Sequence, residues 1–548
     1  MQSTPFNPVW LKAGFLRTFF ATLLRHVRTG TPGILLLVSI RTCLCVTPQE
    51  ALLQADELVR KNQFEQAEKQ ARLALADPAI APVANAILGA SRLEQKKFEE
   101  SITFLQRAIR LEPRLLGARL NLAQAYSLLG ETEQALTVYR DVLKFDPGNA
   151  TARLAIGFAE AEKGDYKKSL ETARGALAAL KQNPDGLSLL ATGFLKTGDR
   201  DSAASLASEW LKLRDVPVDW TVRFALLLAN GGLTKEAAGL LEHAKQSAPQ
   251  SYELDSALGG VWLLKGDLAP ALENYEAAVA LKPDSVIAVR RAAEIAEQRG
   301  ELERSLSWWM HAKKLQPEDA DVLFGLGRVC LRMDLLDDSE AALARAAELH
   351  PGDASVQYVL ASARVGKKQF EAAERMLAGL SAKKPDDPQL HYALGAVFYL
   401  QSKLPEAETQ FRESIRLEPK QLASWHYLGL VKRDEGNTEE AIRIFTELLR
   451  SHPTHAASYE ALGILFISTG RYPEAERNLE KAVALNPKSV KANYQLGLVL
   501  SRMGKKQESA RQLELAKGLR QDDEATSRLQ LRLLDPESIT ANVMGQRQ

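Results

Sequence analysis

From residue 48 to residue 523 the chain alternates between amphipathic segments of about a dozen residues and short polar turns. Apolar residues recur within each segment at spacings of three and four, which places them on one face of an α-helix. The stretch DEGNTEE (434–440) is typical of the turns. No alternation of strand and helix patterns is present, so the sequence predicts an all-α protein.

Two columns of small residues recur every 34 residues in one register. The first lies in helix A of each unit, runs from Ala55 to Gly497, and holds only Gly or Ala in fourteen units. The second lies twelve residues later in helix B, runs from Ala67 to Ser509, and holds only Ala or Ser. Two helices that cross closely cannot carry bulky side chains at the contact, so the columns predict fourteen tightly crossed helix pairs. Units of this length bury their apolar faces by stacking on their neighbours.

Larger apolar residues and prolines keep the same register. Residues such as Tyr139, Trp309 and Phe445 stand four positions after the second small column, where we expect them to fill the space between units. Proline follows twelve positions after that column in ten of the fourteen units, where it ends helix B and suits the turn before the next helix.

This pattern resembles the tetratricopeptide repeat family, in which W-x2-L-G-x2-Y precedes A-x3-F and a proline. Repeat twelve (422–455) departs from it at Lys432, where the family has Tyr. The repeat matches at six positions: Trp425, Leu428, Gly429, Ala441, Phe445 and Pro453. The resemblance implies a right-handed superhelical solenoid of about fourteen repeats over residues 48–523, whose A helices line a concave groove. Pentatricopeptide, HEAT and armadillo repeats fit the period less well.

Repeats four to six are the least regular. Their prolines shift to Pro184 and Pro217, and Trp210 replaces a residue that is usually Ala. Two interpretations stay open, namely drift with compensating repacking and a hinge or specialised contact.

The two ends lie outside the array. Residues 1–47 carry five Lys or Arg, no acidic residue, and two apolar runs that are too short for a clean membrane span. A signal peptide for export to a periplasmic or extracellular space, a membrane anchor, and an unstructured or mis-started N-terminus of a cytosolic protein are the alternatives. Residues 524–548 break the repeat and predict a C-terminal capping helix and tail.

The composition argues against nucleic-acid binding, and motif searches argue against catalysis. Lys+Arg is 70 and Asp+Glu is 69, a balance unlike that of a nucleic-acid binder. The sequence has no H-E-x-x-H, C-x-x-C or phosphate-loop motif. We interpret Cys330 as a buried inert thiol, Trp309 as a core residue, and His452 and His455 as surface turn residues rather than metal ligands. No catalytic activity, cofactor or metal is expected.

A stripe on helix A, three residues before the small column, is the predicted partner surface. In the C-terminal half it carries large residues, and Tyr399 lies beside it. These residues are Phe324, Tyr358, Tyr392, His426 and Tyr494. Tyr suits recognition because it joins a large apolar face to a polar tip. The alternative is packing of this stripe against the adjacent repeat.

A second predicted contact patch consists of Arg290, Arg328 and Arg332. The alternative interpretation is a solvated face on which these arginines pair with Glu294 and Glu297. We therefore expect a non-catalytic scaffold that binds protein or peptide segments in the groove. The alternative function is an envelope or polysaccharide export and assembly accessory, because aromatic ladders also stack on sugar rings. Export, or attachment to a membrane through residues 1–47, is the expected localisation.

Overall fold

The computed structural model of the protein describes residues 46–523. The predictions for residues 1–45 and for the C-terminal cap at 524–548 therefore lie outside the described residues. Within the described range the chain forms 29 α-helices and no strand. The chain divides into two compact units, Met1–Asn274 and Tyr275–Gln548.

The first unit begins with repeat one, and its helices pair as A and B in chain order. They are α1 (Pro48–Arg60), α2 (Phe64–Ala74), α3 (Ala81–Glu94), α4 (Phe98–Leu111), α5 (Leu116–Leu128), α6 (Thr132–Phe145), α7 (Ala150–Glu162), α8 (Tyr166–Arg174), α9 (Leu177–Leu180), α10 (Pro184–Thr197), α11 (Arg200–Trp210), α12 (Val218–Asn230), α13 (Thr234–Ser247) and α14 (Tyr252–Lys265). The next helix, α15 (Leu268–Leu281), contains the division between the units.

The second unit continues the pairing from repeat eight to repeat fourteen. Its helices are α16 (Val286–Gln298), α17 (Leu302–Leu315), α18 (Ala320–Arg332), α19 (Leu336–Leu349), α20 (Ala354–Gly366), α21 (Phe370–Lys383), α22 (Pro388–Leu400), α23 (Leu404–Leu417), α24 (Leu422–Asp434), α25 (Thr438–Ser451), α26 (Ala456–Ser468), α27 (Tyr472–Leu485), α28 (Val490–Arg502) and α29 (Lys506–Asp523). The predicted all-α repeat architecture is confirmed.

Both small columns are buried in all fourteen repeats. The Gly429 Cα faces the ring of Phe445 from helix B of the same repeat, and an added Cβ would lie 2.5 Å from Phe445 Cζ. The large residue of helix B therefore packs on the small residue of helix A in the same repeat. Trp309 also reaches the next repeat, since a Cβ on Gly325 would lie 2.3 Å from its ring.

The choice between Ala and Ser in the second column has a structural reason. In all five repeats with serine, its hydroxyl donates a hydrogen bond to the backbone carbonyl of the small residue twelve positions earlier. The donors and acceptors, each 2.7 or 2.8 Å apart, are Ser101 and Gly89, Ser169 and Gly157, Ser305 and Ala293, Ser339 and Gly327, and Ser509 and Gly497. Serine thus fills the crossing point without leaving a buried hydroxyl unpaired.

A third column, which we did not predict, ends helix A. The fifteenth residue of every repeat has a positive φ, and it is glycine in nine repeats. The other five repeats hold Asn62, Lys96, Asp334, Lys368 and Ser402. A left-handed residue at this point lets the chain leave helix A and turn tightly into helix B.

Repeat four departs from the pairing. Its helix B breaks after Arg174, and the one-turn helix α9 follows before repeat five begins. The start of α10 approaches the end of α9 closely at Gly186. A Cβ at this position would lie 2.2 Å from the Leu180 carbonyl oxygen, so glycine is needed there. Within residues 46–523 no helix is long and apolar enough to cross a membrane.

Candidate functional site

Three of the predicted partner residues lie in the core. Phe324, Tyr358 and Tyr392 are only 5–7% exposed. The Tyr358 hydroxyl accepts a hydrogen bond from Gln389 Nε2 of the next repeat at 3.2 Å, and the Tyr392 ring packs 6.1 Å from that of Tyr427. The expectation that these rings line an open groove is wrong, because large side chains on this stripe pack against the following A helix.

The remaining aromatic positions differ from one another. The hydroxyl of Tyr399 donates a hydrogen bond to Asp434 Oδ2 at 2.7 Å, so its polar tip already has a partner. His426 packs edge-on against His455 at 5.1 Å, and burial lowers its pKa to about 3. Tyr494 is 48% exposed, and its role in partner binding stays a prediction.

The predicted arginine patch is paired within the protein. Arg328 is buried and binds both carboxylate oxygens of Glu297, at 2.8 and 2.5 Å. Arg332 approaches the same carboxylate at 3.4 Å, and Arg290 pairs with Asp321 at 3.1 Å. The pairing with Glu297 agrees with the alternative interpretation of this patch, but Arg328 is buried rather than solvated and Glu294 pairs with Arg291 instead. Because these cations already have carboxylate partners, the patch has little charge to offer a ligand.

Two core predictions are confirmed and one surface prediction is wrong. Trp309 is 2% exposed, and burial raises the pKa of the Cys330 thiol to about 11. His455, expected on the surface, is half-buried against His426, and its Nδ1 lies 2.7 Å from Ser458 Oγ. Residues 46–523 contain no group of three His, Cys, Asp or Glu side chains able to hold a metal ion.

The structure instead reveals a cavity among repeats three to six, inside the first unit. Its volume is about 310 Å³. Helices α6, α7, α10, α11 and α12 and the last turn of α5 contribute its walls. The apolar walls are formed by Leu154, Phe158, Trp210, Trp220, Phe224 and Leu227. Aromatic and aliphatic walls with a few polar groups are typical of ligand-binding sites.

The irregular sequence of repeats four and five builds this region. Their bulky column is alanine, at Ala173 and Ala207, where neighbouring repeats hold Tyr or Leu. The ring of Trp210, three residues after Ala207, stacks on Phe224 of α12 with centroids 4.1 Å apart. Its indole nitrogen donates to Thr221 Oγ1 at 3.2 Å, which fixes the ring. The Trp210 ring is therefore held rigidly in the wall of the cavity and does not fill it.

Polar side chains also contribute to the lining, and four of them matter for its chemistry. Tyr139 lies in the wall, and its buried hydroxyl has no hydrogen bond of ordinary length and angle among the described residues, although the Ser127 hydroxyl lies near it. Asp185, at the start of α10, has its pKa raised to about 6 by burial. Glu162 is exposed, while Arg223 approaches Asp219 at 3.6 Å. None of the cavity residues belonged to the predicted site, although the irregularity of Trp210 marked the region.

The fold and the site together define the class of protein: an all-α repeat protein with a cavity lined by several of its repeats. Sequence models described as tetratricopeptide repeat match residues 52–114, 92–157, 264–308, 311–354, 340–397, 420–488 and 460–524. The chain belongs to the tetratricopeptide repeat family. These matches leave out residues 158–263, the stretch that supplies most of the cavity wall.

The curated relatives are distant, and each matches only part of the chain. Protein CTR9 homolog of Arabidopsis thaliana is 25% identical over 262 residues, which is 45% of this chain and 24% of that protein. Protein O-mannosyl-transferase TMTC1 of Homo sapiens is 25% identical over 38% of this chain and 23% of its own length. A chloroplastic tetratricopeptide repeat protein of Arabidopsis thaliana, PYG7, is 38% identical over 14% of this chain and 25% of its own. This chain thus spans about a quarter of each relative.

Among solved structures, Cut9–Hcn1 of the APC/C is similar over 83% of this chain and 99% of that chain, with 13% identity and a TM-score of 0.36. Yeast Tom70 is similar over 91% of this chain and 99% of its own, with 17% identity and a TM-score of 0.35.

Proposed function

We propose that this protein is a non-catalytic scaffold whose cavity receives one anchoring side chain of a partner protein segment. The observation that carries the proposal is the cavity itself, about 310 Å³ with five aromatic residues in its wall. This volume is at the lower end of the range for small-molecule sites. It suits a single large side chain, and binding energy in protein interfaces concentrates on such anchors.

The family supports a binding role in general terms, because tetratricopeptide repeats present stacked helices as extended binding surfaces. The residues with strongly shifted pKa values favour structural roles over catalytic ones. Cys330 is a buried thiol with a raised pKa, so little of the reactive thiolate is present near neutral pH. The alternative role in envelope or polysaccharide export has no support among the matched families and relatives.

Differential capture tests the proposal. The full chain is immobilised and exposed to an extract of the native organism, and bound proteins are quantified by mass spectrometry. Ser188→Trp places a large ring in the cavity, whose wall includes Ser188. Ser205→Trp makes the same change at an exposed position of α11 outside the cavity and serves as the control.

A partner that binds through the cavity should be lost at least about tenfold with Ser188→Trp and retained with Ser205→Trp, which corresponds to about 1.4 kcal/mol. Calorimetry with the purified partner then gives the affinity directly. If the native protein and the two variants capture the same partners equally, the cavity is not the binding site. Export and membrane attachment through residues 1–47 stay predictions, to be tested by locating the protein in cell fractions.

A further inference from the structure

The charges around the cavity are not balanced. Asp185 and Glu162 both contribute to the lining, from α10 and α7. The cation on the wall, Arg223, lies 3.6 Å from Asp219, so part of its charge is already matched. No ion pair or side-chain hydrogen bond reaches the Asp185 carboxylate among the described residues, and burial alone raises its pKa. The wall therefore contains a carboxylate that folding has desolvated without a cation.

Tyr139 provides a second and independent sign of a ligand. Its side chain is 1% exposed, and its hydroxyl has no hydrogen bond of ordinary length and angle among the described residues. The Ser127 hydroxyl on the same wall lies near it and only partly offsets the rise that burial causes in the pKa of Tyr139. A buried polar group that lacks a partner costs free energy, and native proteins keep few of them. A hydroxyl in a cavity wall can recover that cost by bonding to the main chain of a bound segment.

We infer that the partner segment carries a lysine or arginine next to the apolar side chain that enters the cavity. The inference rests on the proposed function, since it specifies the chemistry of the same partner. A cation beside the anchor would pair with the Asp185 carboxylate in the cavity wall. A segment with an acidic residue at that place would meet Asp185 and Glu162 and be disfavoured.

Synthetic peptides test this chemistry. Arrays of twelve-residue peptides share randomised flanks and a central Phe, Leu or Trp. The residue after the anchor is arginine, its neutral near-isostere citrulline, or glutamate. The full chain is applied to the arrays, and fluorescence anisotropy at pH 7.5 measures the affinity of each peptide series that binds.

Two matched variants isolate the charge. Asp185→Asn removes the cavity carboxylate, and Asp201→Asn removes an exposed one. Each aspartate is the second residue of its helix, α10 or α11, so both variants lose the same interaction with the helix dipole. The difference between them reports the cavity alone.

We expect arginine peptides to bind the native protein at least about tenfold more tightly than citrulline peptides. Asp185→Asn should abolish that preference and Asp201→Asn should keep it. At pH 5 the preference should shrink in the native protein, because the Asp185 carboxyl gains a proton as the pH falls below about 6. Arg223, Glu162 and Tyr139 face the same cavity. Burial raises the pKa of Tyr139 to about 12, so its hydroxyl keeps its proton at both pH values.

The failures are distinguishable. If arginine and citrulline peptides bind equally and Ser188→Trp blocks both, the cavity is the binding site and the inferred charge preference is wrong. Preferential binding of glutamate peptides would overturn the inference in the same way. If no peptide series binds and Ser188→Trp leaves capture of native partners unchanged, the proposed function fails together with the inference.

Discussion

The crossing of helices A and B in repeat twelve provides a quantitative test of how these repeats pack. Gly429→Ala adds a Cβ that would lie 2.5 to 2.9 Å from three atoms of the Phe445 ring. Ordinary contacts between carbon atoms are about 3.5–4.0 Å, so the ring must move by roughly 1 Å. Phe445 is fully buried and its ring lies 5.6 Å from that of His426, which limits this movement. Overpacking of this kind costs about 1–3 kcal/mol.

A second substitution should relieve the strain, because the chain already contains the compatible pair. Repeat ten has Ala361 where repeat twelve has Gly429, and Leu377 where it has Phe445, and both are fully buried. Phe445→Leu alone should cost about 1–2 kcal/mol through the space it leaves. The double variant should be more stable than the sum of the two changes predicts, by about 1 kcal/mol or more, since contacting residues couple.

Hydrogen exchange measured by mass spectrometry on the native protein and the three variants gives local opening free energies for α24 and α25. Protection in repeats one to six should be unchanged, because repeats contact mainly their neighbours. Additivity of the two substitutions within about 0.5 kcal/mol would refute the steric argument. Loss of protection throughout the chain would refute the independence of distant repeats.

The remaining predictions concern a turn residue, a buried hydrogen bond and a buried histidine. Lys368→Gly should raise the stability of repeat ten by about 0.5–1 kcal/mol in denaturant melts, because Lys368 has φ 59° and glycine tolerates this conformation; a loss of stability would contradict the argument. Ser339→Ala should cost about 1 kcal/mol by removing the 2.7 Å hydrogen bond to Gly327, whereas an unchanged melt would show that this bond contributes nothing. His426 stays neutral when folded, since its pKa is lowered to about 3, but takes up a proton below about 6.5 when unfolded. Stability should therefore fall by about 2 kcal/mol between pH 7.5 and pH 5, and His426→Leu should flatten this part of the curve; an unchanged slope would assign the pH dependence to other groups.

The architecture was accessible from the sequence because close helix crossings tolerate few residue types. Every residue of the two small columns is buried as expected, and Trp309 lies in the core where its register placed it. The turn column was missed because only nine of its fourteen members are glycine, and residues such as Lys96 and Ser402 carry no left-handed signal of their own.

The predicted partner stripe could not be resolved from spacing alone. A position between the packing face and the open face of a helix is covered or exposed according to how closely the next A helix approaches. Tyr392 is buried because Tyr427 of the next repeat packs on it. Tyr494, at the same position of repeat fourteen, has no following repeat among the described residues and is 48% exposed. The same residue type at the same position therefore has opposite environments.

The cavity follows from a different kind of signal, which is departure from the repeat. Regular positions are constrained by packing, so a residue that breaks the register without an evident gain in packing marks a site where another requirement acted. Repeats four and five combine alanines in the bulky column, a broken helix B and the displaced ring of Trp210. The sequence showed the shifted prolines and Trp210, but periodicity could not tell compensating repacking from a cavity. Trp210 does repack, on Phe224. The cavity nevertheless keeps an Asp185 carboxylate without an ion pair and a Tyr139 hydroxyl without a hydrogen bond of ordinary geometry among the described residues. Repacking thus accounts for Trp210 but leaves the cavity open, and this is where we propose that the partner contact lies.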